Sequence, residues 1–361
     1  MAQDPSRDVA ADEMPEELAP RHLGARVLQL GAFAALTVAA VTALPGLGDV
    51  RSRFTHADLA LVVLAGVLEL ASCLSYVLAF RGVFCAEVSW RFSYELGMAE
   101  QATNVLLPTG GAGGLALGAW ALRRGGLQTD YIARRSVAFF VITSAPNFIC
   151  AALFGLGITA GVLHARAPTA VTGILGGLAL AVIVAVVLLP RLRPWIRSRR
   201  APGRLRGVIQ TGSLTLGDGV ADAGALLRSG RPSVFAGSLG YLGFDVAALA
   251  VTFAAFGGSL PFAGLLFGYV VGQLGGLIPL PGGIGGTDGG LVGGLVLVGA
   301  PLSQAAAAVL AYRAFQLGIP ALLGSIAFLQ LRRTLRRSSA PAVLCAPLAD
   351  PLPVVVLPAR R

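Results

Sequence analysis

Two glycine-rich breaks, Pro-Thr-Gly-Gly-Ala-Gly-Gly at 108–114 and Pro-Gly-Gly-Ile-Gly-Gly at 281–286, interrupt stretches that are otherwise apolar. Proline removes a helical hydrogen bond and glycine carries no helical bias, so helices must stop at both places. Lipid cannot satisfy the backbone groups freed there, so such breaks stand only inside protein or beside a polar cavity. That lipid is the solvent follows from composition: 55% of the 361 residues are apolar and 13% charged, and mean hydropathy is +0.75. The 48 glycines are a surplus typical of close-packed transmembrane helices. The net charge of +10 comes from arginines clustered beside apolar spans, which is the positive-inside pattern and excludes a nucleic-acid reading.

Full spans of roughly 20 apolar residues or more are expected at 27–47, 58–80, 136–163, 169–189, 233–256 and 303–330. Residues 92–122 and 261–299 are long apolar stretches carrying the breaks, and 207–227 is a weaker segment with Asp218 and Asp222. Arg81 and Arg91 precede the first broken stretch, and Arg123, Arg124, Arg134 and Arg135 follow it. Both of its ends are therefore expected on the cytoplasmic side, which makes it a re-entrant hairpin. Seven arginines within 191–206 mark another cytoplasmic loop in contact with anionic lipid, and Arg332, Arg333, Arg336 and Arg337 place the C-terminus inside. The second broken stretch must then enter and leave from outside. Arg51 and Arg53 in a short outer loop run against this scheme.

Hairpins of opposite orientation prompt a search for inverted repeats. Glu69 lies 39 residues before Pro108 and Asp245 lies 36 before Pro281; Glu100 and Gln273 each lie 8 before their proline. Pro146 follows Pro108 by 38 residues and Pro320 follows Pro281 by 39. These matches favour a span, hairpin, span unit used twice, over about 58–163 and 233–330. The expected organisation is an acidic tail at 1–22, without the basic start of a signal peptide, a transmembrane domain at 23–335 and a Pro-rich tail at 336–361. The fold class is all-α: a polytopic membrane protein with about six full transmembrane helices and two re-entrant broken-helix hairpins in inverted repeats.

Ionisable side chains at membrane depth are costly unless paired or hydrated, which singles out Glu69, Glu95, Glu100, Asp245, Asp288 and Arg313. Arg313 needs an acidic partner, with Asp245 and Asp288 the nearest candidates. Two readings stay open: a structural ion pair, or a guanidinium that contacts a phosphate or headgroup. Glu100 and Asn104 share a helical face leading to Pro108, as in a helix that lines a wet cavity or one that hydrogen-bonds a neighbour. The breaks, through Gly110, Gly111, Gly113, Gly114, Gly282, Gly283, Gly285 and Gly286, offer amides at the starts of the following helices, where an anionic group can be held. No Gly-Lys-Ser/Thr follows either break, so neither is a nucleotide phosphate loop. Asp218 and Asp222, four apart, read as an interfacial pair or as carboxylates able to bind a metal or act as acid and base, with no third ligand evident. Cys73, Cys85, Cys150 and Cys345 show no metal or redox spacing, and no triad is formed by His22, His56 or His164. No cofactor, metal or catalytic constellation is expected.

The second half carries a combination of motifs: Pro281-Gly-Gly-Ile-Gly-Gly-Thr-Asp288, then Leu-Val-Gly-Gly-Leu-Val-Leu-Val-Gly299, then Ala-Ala-Val-Leu-Ala-Tyr-Arg313 and Pro320. With Asn104-Val-Leu-Leu-Pro108 as a first-half counterpart, it resembles the lysylphosphatidylglycerol synthase transmembrane, flippase-like family over roughly residues 27–335. The family's acidic residue after the second break is usually Glu and is Asp288 here. The resemblance implies a multi-pass protein of the bacterial inner membrane with cytoplasmic termini, handling membrane lipids with anionic phospholipid or polyprenyl-linked headgroups. In the best-known members a separate soluble domain performs aminoacyl transfer, so the resemblance implies translocation without synthesis and no enzymatic activity. A different class of role is a non-transporting accessory subunit of a membrane glycosyltransferase or other envelope enzyme.

Overall fold

A computed structural model describes Leu28, Gly31 and residues 48–84, 89–107, 112–124, 127–165, 167–198, 204–277 and 283–337. The 27–47 span apart from Leu28 and Gly31, both tails except 336–337, and Pro108, Gly110, Gly111, Pro281 and Gly282 lie outside the described residues. Among the described residues there are eleven α-helices and no strand. They are α1 (Gly48–Thr55), α2 (Leu59–Phe84), α3 (Trp90–Leu106), α4 (Ala112–Arg124), α5 (Thr129–Thr159), α6 (Thr169–Ser198), α7 (Arg204–Arg228), α8 (Pro232–Ala255), α9 (Phe262–Gln273), α10 (Gly286–Leu297) and α11 (Leu302–Arg337). A 3-10 turn at Leu274–Leu277 extends α9. Five helices, α2, α5, α6, α8 and α11, are long and apolar enough to cross a membrane, matching the expected spans that fall within the described residues.

These helices expose large apolar side chains outward, including Val63 and Val67 of α2, Phe140 and Leu153 of α5, Ile174 and Val187 of α6, and Leu322 and Ile326 of α11. So much exposed apolar surface is stable in lipid and not in water. The chain is a multi-pass membrane protein. By contrast α4, α9 and α10 have 13, 12 and 12 residues. At 1.5 Å per residue each reaches only about 18–20 Å, short of the roughly 30 Å hydrocarbon core.

They form two hairpins, α4 with the 17-residue α3 and α9 with α10. In the second, glycines on both arms face each other: a Cβ on Gly268 would stand 2.9 Å from the Gly294 carbonyl, and one on Gly290 2.6 Å from that of Gly272. The arms touch backbone to backbone, which only the absence of side chains allows. The turn before α10 uses Gly283 at φ 66° and Gly285 at φ 87°, left-handed conformations that a residue with a Cβ rarely adopts. In the first hairpin the slots opposite Gly114 and Gly118 are instead filled by Asn104 and Glu100 from the facing arm.

At the centre α2 packs along α8, Gly237 lying against Ala79 and Gly240 against Ser75. The hairpin arms then cross over: α3 packs on α11 and α9 on α5. Pro146 inside α5 cannot bond to the carbonyl of Ile142, and the hydroxyl of Ser238 on α8 donates to that carbonyl at 2.5 Å.

Charge is sorted between the two ends of the bundle. Tyr131 donates to the Phe84 carbonyl at 2.6 Å, and Thr334 donates to Glu95, which also pairs with Arg91 at 2.8 Å. Arg81 stacks on Trp90 and Arg135 faces Asp222 at 3.8 Å. These contacts gather the end of α2, the starts of α3 and α5, the end of α11 and helix α7 at one strongly basic end. At the opposite end Asp58 donates its amide to Ala255, and Arg53 bonds to Ser303 and to the Phe256 carbonyl. Arg53 is thus engaged in holding α1 to the end of α8 and the start of α11. Free Cys73 and Cys150 are packed among apolar neighbours.

Candidate functional site

The α2 and α8 helices run antiparallel in a constant register: Gly82 meets Val234, Ala79 meets Gly237, Ser75 meets Gly240, and the Ser72 hydroxyl donates to the Tyr241 carbonyl at 2.8 Å. Continued toward the middle, that register sets Glu69 opposite Asp245. Both lie about 15–22 Å along their helices from the ends, and both are buried, at 4% and 7% exposure.

They border a cavity of about 270 Å³ that described residues of both hairpins line. Helix α2 contributes Glu69 and Tyr76, α3 Gln101 and Asn104, and α8 Tyr241 and Asp245. The second hairpin adds Gln273, Gly276, Gly283 and Thr287, and α11 adds Arg313, Gln316 and Pro320. Because Pro320 has no N–H, the carbonyl of Gln316 has no bond from the residue one turn on.

Arg313 is the centre of positive charge. Its Nε donates to Asp288 Oδ1 at 2.7 Å, and its Nη1 donates to the Gln316 side chain. The other Asp288 oxygen accepts the Gly285 amide at 2.6 Å, so this carboxylate caps α10 and holds Arg313 with its two oxygens. Of the two acidic partners considered from sequence, Asp288 makes the ion pair. Asp245 accepts the hydroxyls of Tyr269 and Tyr312, each at 2.5 Å, and Gln316 Nε2 approaches it at 3.3 Å. Gln316 also contacts the Tyr312 hydroxyl and so bridges the two halves of the network.

The other sequence candidates are placed as follows. Asn104 borders the cavity and its Oδ1 accepts the Gly114 amide at 2.8 Å, tying the α3 tip to the first turn of α4, where Gly113 also lies. Glu100 sits behind Tyr76, whose hydroxyl donates to it at 3.0 Å. Gln273 and Gly283 border the cavity, while Gly285 and Gly286 form the turn that opens α10. The amides of Gly114 and Gly285 are thus occupied by side chains of the protein itself. Glu95 lies away from the cavity, at the basic end.

Sequence reasoning did not single out Tyr76, Tyr241, Tyr269, Tyr312, Gln101, Gln316 or Thr287. A signal was present, because a tyrosine hydroxyl or a glutamine amide inside an apolar span needs a hydrogen-bond partner. Gln316, three residues after Arg313, shares its helical face.

A comparison with curated proteins finds no match. Residues 27–324 match the family described as the lysylphosphatidylglycerol synthase TM region. With hydrophobic helices, paired half-length hairpins and that match over most of its length, the chain belongs to this family, whose members are membrane proteins of lipid metabolism or transport.

Proposed function

We propose that this protein moves a lipid with a phosphate-bearing headgroup, a phospholipid or a polyprenyl-linked phosphate, between the leaflets of the bacterial inner membrane. The observation that carries the reading is the convergence of residues from both hairpins on one polar cavity at mid-helix depth, with Arg313 in its lining. A planar guanidinium suits a phosphate, and Arg313 borders the cavity with its Nε on Asp288 and its Nη1 on Gln316. The cavity has room for a headgroup only, so acyl chains stay among the exposed apolar side chains of the long helices.

In this reading α3–α4 and α9–α10 are re-entrant hairpins of opposite orientation, and 58–163 and 233–330 are inverted repeats. The crossed packing of α3 on α11 and α9 on α5 supports that pairing. The basic end is cytoplasmic by the positive-inside rule, which places the C-terminus inside. Rocking of the halves about the α2–α8 contact, or separation of one tip from Arg313, opens the cavity to one side at a time.

Full-length protein reconstituted in phosphatidylcholine vesicles is the test, with trace fluorescent phosphatidylglycerol or a fluorescent polyprenyl phosphate, read by dithionite quenching of outer-leaflet probe. Probe exchange well above protein-free vesicles is expected for at least one lipid, with Arg313→Ala lowering it by at least tenfold. Exchange of neither lipid, or an unchanged rate in Arg313→Ala, overturns the reading.

A further inference from the structure

Charges around the cavity do not balance by the contacts of Arg313 alone. Arg313 and Asp288 neutralise each other across 2.7 Å. Asp245 has two tyrosine hydroxyls and an amide as donors. Glu69 has none: its Oε2 is buried without a hydrogen-bond partner, and the helix register sets it opposite Asp245 at the edge of the same cavity. Among the described residues, the groups facing this pair offer no second cation. They are Cys73 on α2, Tyr241 on α8, Tyr269 on α9, Tyr312 and Arg313 on α11, with Glu100 behind Tyr76 on α3 and Asp288 beyond Arg313 on α10.

Two ionised carboxylates facing each other at this depth repel each other and lack hydration. One proton between them turns repulsion into a hydrogen bond and gives the orphaned carboxyl a partner. The donors distribute the roles: three of them face Asp245, which therefore stays the acceptor, and Glu69 carries the hydrogen.

We infer that Glu69 and Asp245 form a one-proton binding site, and that its occupancy is linked to capture of an anionic headgroup at Arg313. The site takes its proton from water in the cavity and returns it there, breaking only the Glu69 O–H bond. Without that proton the pair adds a negative charge beside Arg313 and opposes an incoming phosphate; with it the opposition is removed. By reciprocity, binding of the anion draws a proton onto the pair. Proton and headgroup then travel in the same direction. This linkage rests on the proposed headgroup reading, whereas the proton site itself does not.

Two measurements separate the parts. Infrared difference spectra of detergent-solubilised full-length protein between acidic and alkaline pH read the carbonyl band of a protonated carboxyl without any lipid. A band that Glu69→Gln removes and Asp288→Asn retains is expected. Its absence from the wild type, or its persistence in Glu69→Gln, overturns the proton site whatever the protein transports. Short-chain phosphatidylglycerol added to weakly buffered protein with a pH indicator tests the linkage: proton uptake is expected for the wild type and lost in Glu69→Gln. Binding of that lipid without proton uptake overturns the linkage, and so does failure of the lipid to bind, which also counts against the headgroup reading. Should Glu69→Gln not fold, Asp245→Asn serves in both measurements, with loss or displacement of the band and loss of uptake expected.

Discussion

Arg313 and Asp288 are 25 residues apart in sequence and 2.7 Å apart in the fold. Removing the carboxylate leaves a buried guanidinium with less compensation, so Asp288→Asn is expected to cost about 1.5–3 kcal/mol, read as a lowered thermal midpoint in detergent. The double variant Asp288→Ala/Arg313→Ala should lose less stability than the two single variants together, because the second change removes a charge already unpaired. Strict additivity would contradict the ion pair. At this scale the sequence supplied identities: acids and an arginine at apolar depth stand out because lipid makes them costly. It did not supply partners, since Asp245 and Asp288 were equally open to Arg313 until the orientation of α10 was known. The tyrosines and Gln316 that complete the network are ordinary in an apolar span, and only their convergence gives them meaning.

Between elements, the second hairpin depends on which face of each arm carries its glycines. Gly268, Gly272, Gly290 and Gly294 face the opposite arm, whereas Gly289 and Gly293 have nothing within 4 Å of an added Cβ. Gly294→Val should therefore force the arms apart and cost about 1–3 kcal/mol, while Gly293→Ala should be neutral or stabilising by up to about 1 kcal/mol. Thermal unfolding of the two variants side by side checks this, and equal effects would contradict the backbone contact. The breaks were legible because proline and glycine act locally through missing hydrogen bonds and permitted φ angles. The contrast between hairpins was not: one is closed by glycine against glycine, the other by Asn104 and Glu100 filling glycine slots, and each depends on a facing residue ten or more positions away.

Across the whole molecule, sorted charge is the property that orients the protein. Arg81, Arg91 and Arg135 gather at one end, where Arg332 and Arg333 adjoin Thr334, while Arg53 serves as a fastener at the other. Cysteines introduced at exposed Asp130, near the basic end, and exposed Ser52, at the other, should differ in intact cells of a cysteine-free background. Ser52→Cys is expected to react with a membrane-impermeant maleimide, and Asp130→Cys only after permeabilisation. The reverse pattern would invert the orientation in the transport scheme. Arg51 and Arg53 ran against the sequence-based topology because loop arginines are counted without regard to what they bind; the bonds from Arg53 to Ser303 and the Phe256 carbonyl give its charge a structural task.

By itself the sequence determined the solvent, the helical class, the two interruptions and the family, because hydropathy, backbone hydrogen bonding and local motifs act along the chain. Only the tertiary structure decided that Glu69 faces Asp245, that Arg313 is held by Asp288, and that residues of both hairpins line the same cavity. Those facts depend on helix register and on which faces meet, and these are set by glycine contacts and packing between segments far apart in sequence.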